Sequence, residues 1–237
     1  MIDAAQRKAS KIAGGAFLLT MAIVVAVNFG INERLLVAGN PTETARNILA
    51  HERLFRLGIA GNLIYAVGVM VLLAALYVVL RPVSRGLALL ATVWRLVFAA
   101  IWVLLVLNDF TALRLLSDAD YLPALRPDEA QSFARFYLSG FDQYYVGLLF
   151  WAMASTVSSY LWLKSRYIPR SLAAFGLIGS AWCVACTLLL YVFPNFPKVV
   201  NLWWFDTPMA LYEVGLGIWL LVKGLAEADS TGRAQTA

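Results

Sequence analysis

The chain has 237 residues, of which 61% are hydrophobic and 14% charged, with a formal net charge of +5. Its mean hydropathy is +0.73, whereas soluble domains are roughly half apolar and about a quarter charged. This balance excludes an ordinary soluble domain. No basic cluster lies on an amphipathic soluble element, which excludes nucleic-acid binding. With one histidine and two cysteines, the chain has too few ligands for a disulfide framework or the usual zinc sites.

Six apolar windows follow one another along the chain, each long enough to cross a bilayer as a helix of about 20 residues. They cover residues 12–31, 57–80, 86–108, 141–163, 169–192 and 207–225. Helices and closed barrels alone satisfy backbone polar groups in lipid, and barrel strands are short and alternate apolar with polar residues. The sequence therefore predicts an all-α fold, a polytopic transmembrane six-helix bundle. Residues 1–225 form its single domain, and residues 226–237 form a disordered tail.

Basic residues at the ends of these windows predict the orientation of the bundle. The first window follows Arg7, Lys8 and Lys11, and because it exceeds the apolar region of a cleaved signal peptide, we interpret it as a retained helix. The short loops LRPVSR and KSRYIPR are also basic, whereas the loops on the opposite side are longer and mix both charges. Lysine and arginine are in excess in cytoplasmic loops. We therefore expect both termini to be cytoplasmic.

Two of the outer segments carry helical signals of their own. In NPTETARNILAHERLFR, Asn40 is a suitable N-cap, Pro41 fits the first helical position, and Glu43 follows the cap by three residues. In RPDEAQSFARFY, Pro127 precedes two acids in a first turn, where the helix dipole favours them. We expect two short amphipathic helices on the outer face of the bundle. Prolines in the third outer segment, FPNFPKVVNLWWFDTP, argue against a regular helix there.

The third window contains a permanent positive charge, Arg95. It lies roughly nine residues into the window, about 13 Å along a helix, where an arginine costs about 2.5–3.5 kcal/mol on translocon scales. We predict that Arg95 faces the bundle, because small residues, which let helices approach closely, share its helical face. That face carries Ala88, Ala91, Thr92, Ala99 and Trp102.

A buried guanidinium requires hydrogen-bond acceptors, since it does not deprotonate in proteins. The best candidate is Glu213 in the sixth window, and Asp142 and Asn62 lie in the same predicted half of the bundle. We predict a polar cavity that opens toward the outer face, with Arg95 at its floor. The predicted binding residues are Arg95, Glu213, Asp142, Asn62, Tyr65, Tyr144 and Trp102, and we predict neither a metal site nor a cofactor.

The remaining reactive residues have structural interpretations. Cys183 and Cys186 share one helical face, so a disulfide is geometrically conceivable. They lie in the middle of an apolar window without a nearby cation to activate a thiolate, and we interpret them as packing residues. His51 lies in an outer amphipathic segment as a solvated or interfacial residue, and the serines of ASTVSSY are expected to hydrogen-bond within or between helices.

Four blocks of the sequence together resemble a known family. The blocks are ERLFRLGIAGNLI, LRPVSRGLALLATVWRLV, SRYIPRSLAAFGLIG and EVGLGIWLLVKG; in order and spacing they are similar to the bacterial integral-membrane family named domain of unknown function 4386. The resemblance covers roughly residues 8–225. The polar residues inside the blocks are Arg56, Asn62, Arg95, Arg170 and Glu213, whereas Asp142 lies outside them. The resemblance implies a bacterial inner-membrane location and supplies no reaction.

Three hypotheses for the function follow from the polar residues. The first is a protein that binds or transports a small anionic or amphipathic molecule, with Arg95 as its charge partner. The second is a membrane-embedded enzyme acting on a lipid or isoprenoid, with Glu213 or Asp142 as general acid or base. The third is a structural membrane protein in which Arg95 and Glu213 form a buried ion pair. We favour the first because no catalytic motif is recognisable. The expected partners are membrane lipids and a small anionic or amphipathic ligand, and the sequence predicts no oligomeric state.

Overall fold

The computed structural model describes residues 2–37, 40–117, 127–138, 141–193, 195–200 and 202–226, and these ranges are almost entirely helical. The helices, numbered in chain order, are α1 (Ala4–Val27), α2 (Glu33–Leu35), α3 (Pro41–Ala50), α4 (Glu52–Leu80), α5 (Arg85–Ser117), α6 (Pro127–Leu138), α7 (Phe141–Ser165), α8 (Arg170–Val192), α9 (Phe196–Val199) and α10 (Leu202–Val222). A π-helical turn, Asn28–Asn32, joins α1 to α2.

Six helical segments in the described ranges are long and apolar enough to cross a membrane, which confirms the predicted class of fold. They are Ala4–Leu35, Glu52–Leu80, Arg85–Ser117, Tyr144–Ser165, Arg170–Val192 and Trp204–Val222. Several helices extend beyond the apolar windows, and α5 ends at Ser117 instead of residue 108. Hydropathy marks the apolar part of a helix, whereas alanine, leucine and arginine after Asn108 continue the helix because their helical propensity is high.

Both short amphipathic helices are present. The Asn40 side-chain oxygen accepts a hydrogen bond from the backbone N–H of Glu43 at 3.1 Å, and the Asn40 amide donates to the Glu43 carboxylate at 2.9 Å. This reciprocal cap begins α3 at Pro41, as predicted. The helices α3 and α6 contact one another. Their buried apolar residues include Ala45, Ile48 and Ala134.

The third outer segment is more regular than predicted. A short helix, α9, follows Asn195, and α10 begins at Leu202 with Pro208 inside it. A proline inside a helix cannot donate to the carbonyl of the residue four positions earlier, which here is Trp204. The Trp182 indole on α8 donates to that carbonyl oxygen at 2.9 Å. The prediction of an irregular segment was wrong for residues 202–208, because a distant side chain satisfies the group that Pro208 leaves open.

Replacing Trp182 by phenylalanine is expected to destabilise the protein by about 1 kcal/mol, the upper part of the range for interhelical hydrogen bonds in membranes. In a Pro208→Ala background the residue 208 N–H can donate to the Trp204 carbonyl, so the same substitution should cost less. A double-mutant cycle on thermal unfolding measures this coupling. Equal costs in the two backgrounds would contradict the role assigned to the Trp182 indole.

The chain divides into two compact units. The first unit comprises Met1–Leu18, Val69–Val97 and Leu148–Ala237, and the second comprises Leu19–Gly68 and Phe98–Gly147. Glycines permit close helix contacts within each of them. In the first unit a Cβ built on Gly14 would lie 2.8 Å from the Gly217 carbonyl oxygen. In the second unit a Cβ built on Gly68 would lie 2.7 Å from a Thr20 methyl group.

Candidate functional site

A buried charged network lies in the first unit, built by α5, α7 and α10. Arg95 Nη2 donates to Ser155 Oγ at 3.1 Å, and Ser155 Oγ donates to Glu213 Oε1 at 3.0 Å. Arg95 is 2% exposed and Glu213 is 6% exposed. The serine hydroxyl therefore links the guanidinium of one membrane-spanning helix to the carboxylate of another within closely packed protein.

Trp151 contacts both charged groups of this network. Its indole N–H donates to Glu213 Oε1 at 2.7 Å, and its ring lies 4.3 Å from the Arg95 guanidinium carbon. A guanidinium over an indole face is attracted by the ring quadrupole, and the attraction grows when water is excluded. Trp151 and Ser155 lie one helical turn apart on α7, so both reach the same carboxylate oxygen. We call Arg95, Trp151, Ser155 and Glu213 the Arg95 network.

The orientation of Arg95 follows from the residues around it on α5. Ala88, Ala91 and Ala99, one or two turns away, are buried, and their small side chains let neighbouring helices approach. The opposite face of α5 carries exposed branched apolar residues that include Val93 and Leu104. The prediction that Arg95 faces inward is confirmed.

Two further hydroxyl groups are buried one turn along from the Arg95 network. They belong to Tyr212 on α10 and Ser159 on α7, and both residues are almost completely buried. In the part of the chain that the structure describes, neither hydroxyl makes a hydrogen bond of acceptable geometry. Because a hydroxyl both donates and accepts, this pair adds hydrogen-bonding capacity beside Glu213.

Other predicted site residues lie in the second unit, within an aromatic cluster. The Trp102 ring centroid lies 4.4 Å from that of Tyr65 and 6.1 Å from that of Tyr144. Phe98 and Tyr145 complete the cluster, and Asn62 is half-buried on α4. Asp142 belongs to the first turn of α7, but its side chain lies outside the described residues. The predicted site residues thus fall into an Arg95–Glu213 group and an aromatic group, and their roles in binding stay predictions.

Sequence reasoning did not select Trp151, Ser155, Ser159 or Tyr212 as site residues. The serines of α7 were expected to bond within or between helices, and Ser155 does so between helices. A one-turn spacing between Trp151 and Ser155 was visible in the sequence. Many other pairs in the chain share that spacing, so it does not identify a site.

The two cysteines lie in a packed face of α8. Cys183 and Cys186 are buried free thiols on a face of α8 that includes Gly176 and Gly179, which meet α10. Within the described ranges, no group of three or more histidine, cysteine, aspartate or glutamate residues could hold a metal ion.

Six membrane-length helices with buried charged residues define a multi-pass α-helical membrane protein. The chain belongs to the family described as Domain of unknown function (DUF4386), which matches residues 12–224. It is also similar to an uncharacterized protein of Archaeoglobus fulgidus, with 27% identity over 161 residues that cover 66% of this chain and 78% of the relative. No solved structure matches the chain.

Proposed function

We propose that this protein binds or transports a small anionic or amphipathic molecule and that Arg95 is its charge partner. The observation that carries the proposal is a guanidinium, 2% exposed, in a membrane-spanning helix. Ionisable residues inside membrane proteins are costly and mark substrate or ion sites by default. An arginine is suited to an anion because its fork of N–H groups matches a carboxylate.

The neighbours of Arg95 support a carboxylate-like ligand. Trp151 Nε1 and Ser155 Oγ donate to one oxygen of Glu213, so the Arg95 network already holds a carboxyl group in a defined place. A ligand carboxylate that replaced the Glu213 side chain would find the same donors. The indole face of Trp151 would contact its apolar part, which extends the proposal to amphipathic anions.

The proposal predicts that a benzoate ion stabilises the purified protein and that benzamide, its uncharged analogue, does not. A ligand at about 100 times its dissociation constant stabilises the folded state by about 2.7 kcal/mol. The measurement is the thermal unfolding midpoint in lipid nanodiscs, accompanied by native mass spectrometry for a co-purified acid.

The matched control is the Arg95→Met/Glu213→Leu double variant, which removes both charges and leaves apolar groups of similar size. Benzoate should not stabilise this variant. Equal stabilisation by benzoate and benzamide, or stabilisation of the double variant by benzoate, would contradict anion binding at Arg95.

We also propose a bacterial inner-membrane location with both termini in the cytoplasm. The α4–α5 and α7–α8 connections carry Arg81 and Arg166, and Lys164 lies in the last turn of α7. The positive-inside rule favours such short basic connections on the cytoplasmic side. Membrane lipids would then be the partners of the exposed apolar side chains. Protease access to a tag on either terminus in inverted but not in right-side-out vesicles tests this orientation.

A structural role is the second candidate, favoured by the low exposure of both charged residues and by the hydrogen bonds that link them through Ser155. Buried ion pairs can fix the register of packed helices without any ligand. In that case benzoate should not stabilise the wild-type protein at any concentration that leaves the double variant unaffected.

A further inference from the structure

We infer that binding of an anion at Arg95 is coupled to uptake of one proton by Glu213. The inference rests on the proposed function and adds the ionic stoichiometry of the same site. The observation that supports it is the single carboxylate of the Arg95 network, which Ser155 and Trp151 hold beside the guanidinium.

The coupling follows from the charge of the buried site. Arg95 is permanently positive, so with an ionised Glu213 the pair is neutral. An added monovalent anion would bring the site to a net charge of −1 in a medium where an uncompensated charge is costly. A proton on Glu213 restores neutrality: the carboxylate becomes a carboxylic acid, and the anion takes over the attraction of Arg95. Proton and anion therefore favour each other's binding, as reciprocal linkage requires.

The geometry permits this exchange without rebuilding the site. Glu213 Oε1 accepts both hydrogen bonds, from Trp151 Nε1 and Ser155 Oγ, so we assign the incoming proton to Oε2. A protonated Glu213 is itself a hydrogen-bond donor. The Ser155 hydroxyl can then rotate toward the bound anion, while the rigid Trp151 indole keeps its hydrogen bond to Oε1.

Two uncharged hydroxyl groups, those of Ser159 and Tyr212, adjoin the Arg95 network along the chain. Tyr212 precedes Glu213 on α10, and Ser159 follows Ser155 by one turn on α7. Both are buried, and neither hydroxyl has a hydrogen-bond partner among the residues that the structure describes. They add hydrogen-bonding capacity there without adding charge.

Few other ionisable groups face Glu213 in the described ranges. Arg95 approaches from α5 and Cys183 from α8, while α10 itself carries Tyr212 and, about two turns away, Asp206. The α7 neighbours, Trp151 and Ser155, carry no charge. Glu213 is the carboxylate linked through Ser155 to the guanidinium, so it is the group whose protonation releases Arg95 to a ligand.

The test uses benzoate as the probe and counts protons with an indicator dye in weakly buffered nanodisc samples. We expect about one proton taken up per benzoate bound. At pH values at which Glu213 is ionised in the ligand-free protein, the apparent affinity for benzoate should fall about tenfold for each unit rise in pH. The Glu213→Gln variant, which resembles the protonated state, should bind benzoate without proton uptake and with an affinity independent of pH.

The control variant is Thr156→Val on the same helix, because the Thr156 hydroxyl already donates to the Ala152 carbonyl at 2.8 Å. It should retain the wild-type proton count. Benzoate binding without proton uptake, or uptake that persists in Glu213→Gln, overturns this inference and leaves the proposed function standing. If benzoate does not bind at any pH, the proposed function is contradicted, and the inference, which depends on it, is contradicted as well.

A second measurement covers the case in which Glu213→Gln does not fold. Infrared difference spectra of the wild-type protein should gain the carbonyl band of a protonated carboxyl group when benzoate binds. Bound benzoate without that band overturns the inference.

Discussion

Replacing Glu213 alone by leucine is expected to destabilise the protein by about 3–5 kcal/mol, the usual cost of breaking a buried ion pair from one side. The substitution removes the carboxylate beside the Arg95 charge, and Ser155 Oγ and Trp151 Nε1 lose the oxygen to which they donate. The loss is measured as a lower thermal unfolding midpoint and a smaller monodisperse fraction after purification.

The Arg95→Met/Glu213→Leu double variant separates a functional network from a structural one. Replacing both charged partners by apolar residues of similar volume is often neutral or stabilising, so we expect most of the lost stability to return. A double variant as unstable as Glu213→Leu would contradict this expectation and show that the Arg95 network is required for folding. If stability returns in the double variant, and benzoate binds the wild-type protein but not this variant, the charges are assigned to the ligand.

Much of this architecture could be predicted because its causes are local. Each span reads as one long apolar run, since a membrane helix satisfies its own backbone. The start of α3 was visible in Asn40, Pro41 and Glu43, because a cap depends on residues within one turn. The inward direction of Arg95 was visible in its small neighbours, because residues three or four apart share a helical face.

The partners of Arg95 were less predictable because they depend on the register between separate helices. Glu213 was selected as the carboxylate, but the bridging hydroxyl of Ser155 and the double role of Trp151 arise only when α5, α7 and α10 pack. The start of α10 was also not predicted, because it depends on a contact between two helices. Pro208 is tolerated because Trp182, on another helix, donates to the carbonyl that Pro208 cannot reach.

The packing of α8 against α10 determines where Glu213 is held. A Cβ built on Gly176 would overlap the ring of Tyr212, the residue directly before Glu213, and one built on Gly179 would lie 3.3 Å from the backbone of Pro208. Tyr212 is 2% exposed, so its ring has little room to move. Small residues on α8 therefore set the distance at which α10 presents its carboxylate.

Replacing Gly176 by alanine is accordingly expected to destabilise the protein by about 1–3 kcal/mol, the cost of adding a methyl group to a well-packed contact. The matched control is Gly15→Ala on α1, where a Cβ meets nothing within 4 Å and alanine favours the helix by up to about 1 kcal/mol. Thermal unfolding of both variants in the same lipid measures the difference. A Gly176→Ala protein as stable as Gly15→Ala would mean that the Tyr212 ring moves aside and that the glycine does not fix the approach of α10. The expected loss of stability would instead show that the position of Glu213 depends on the absence of a side chain at Gly176.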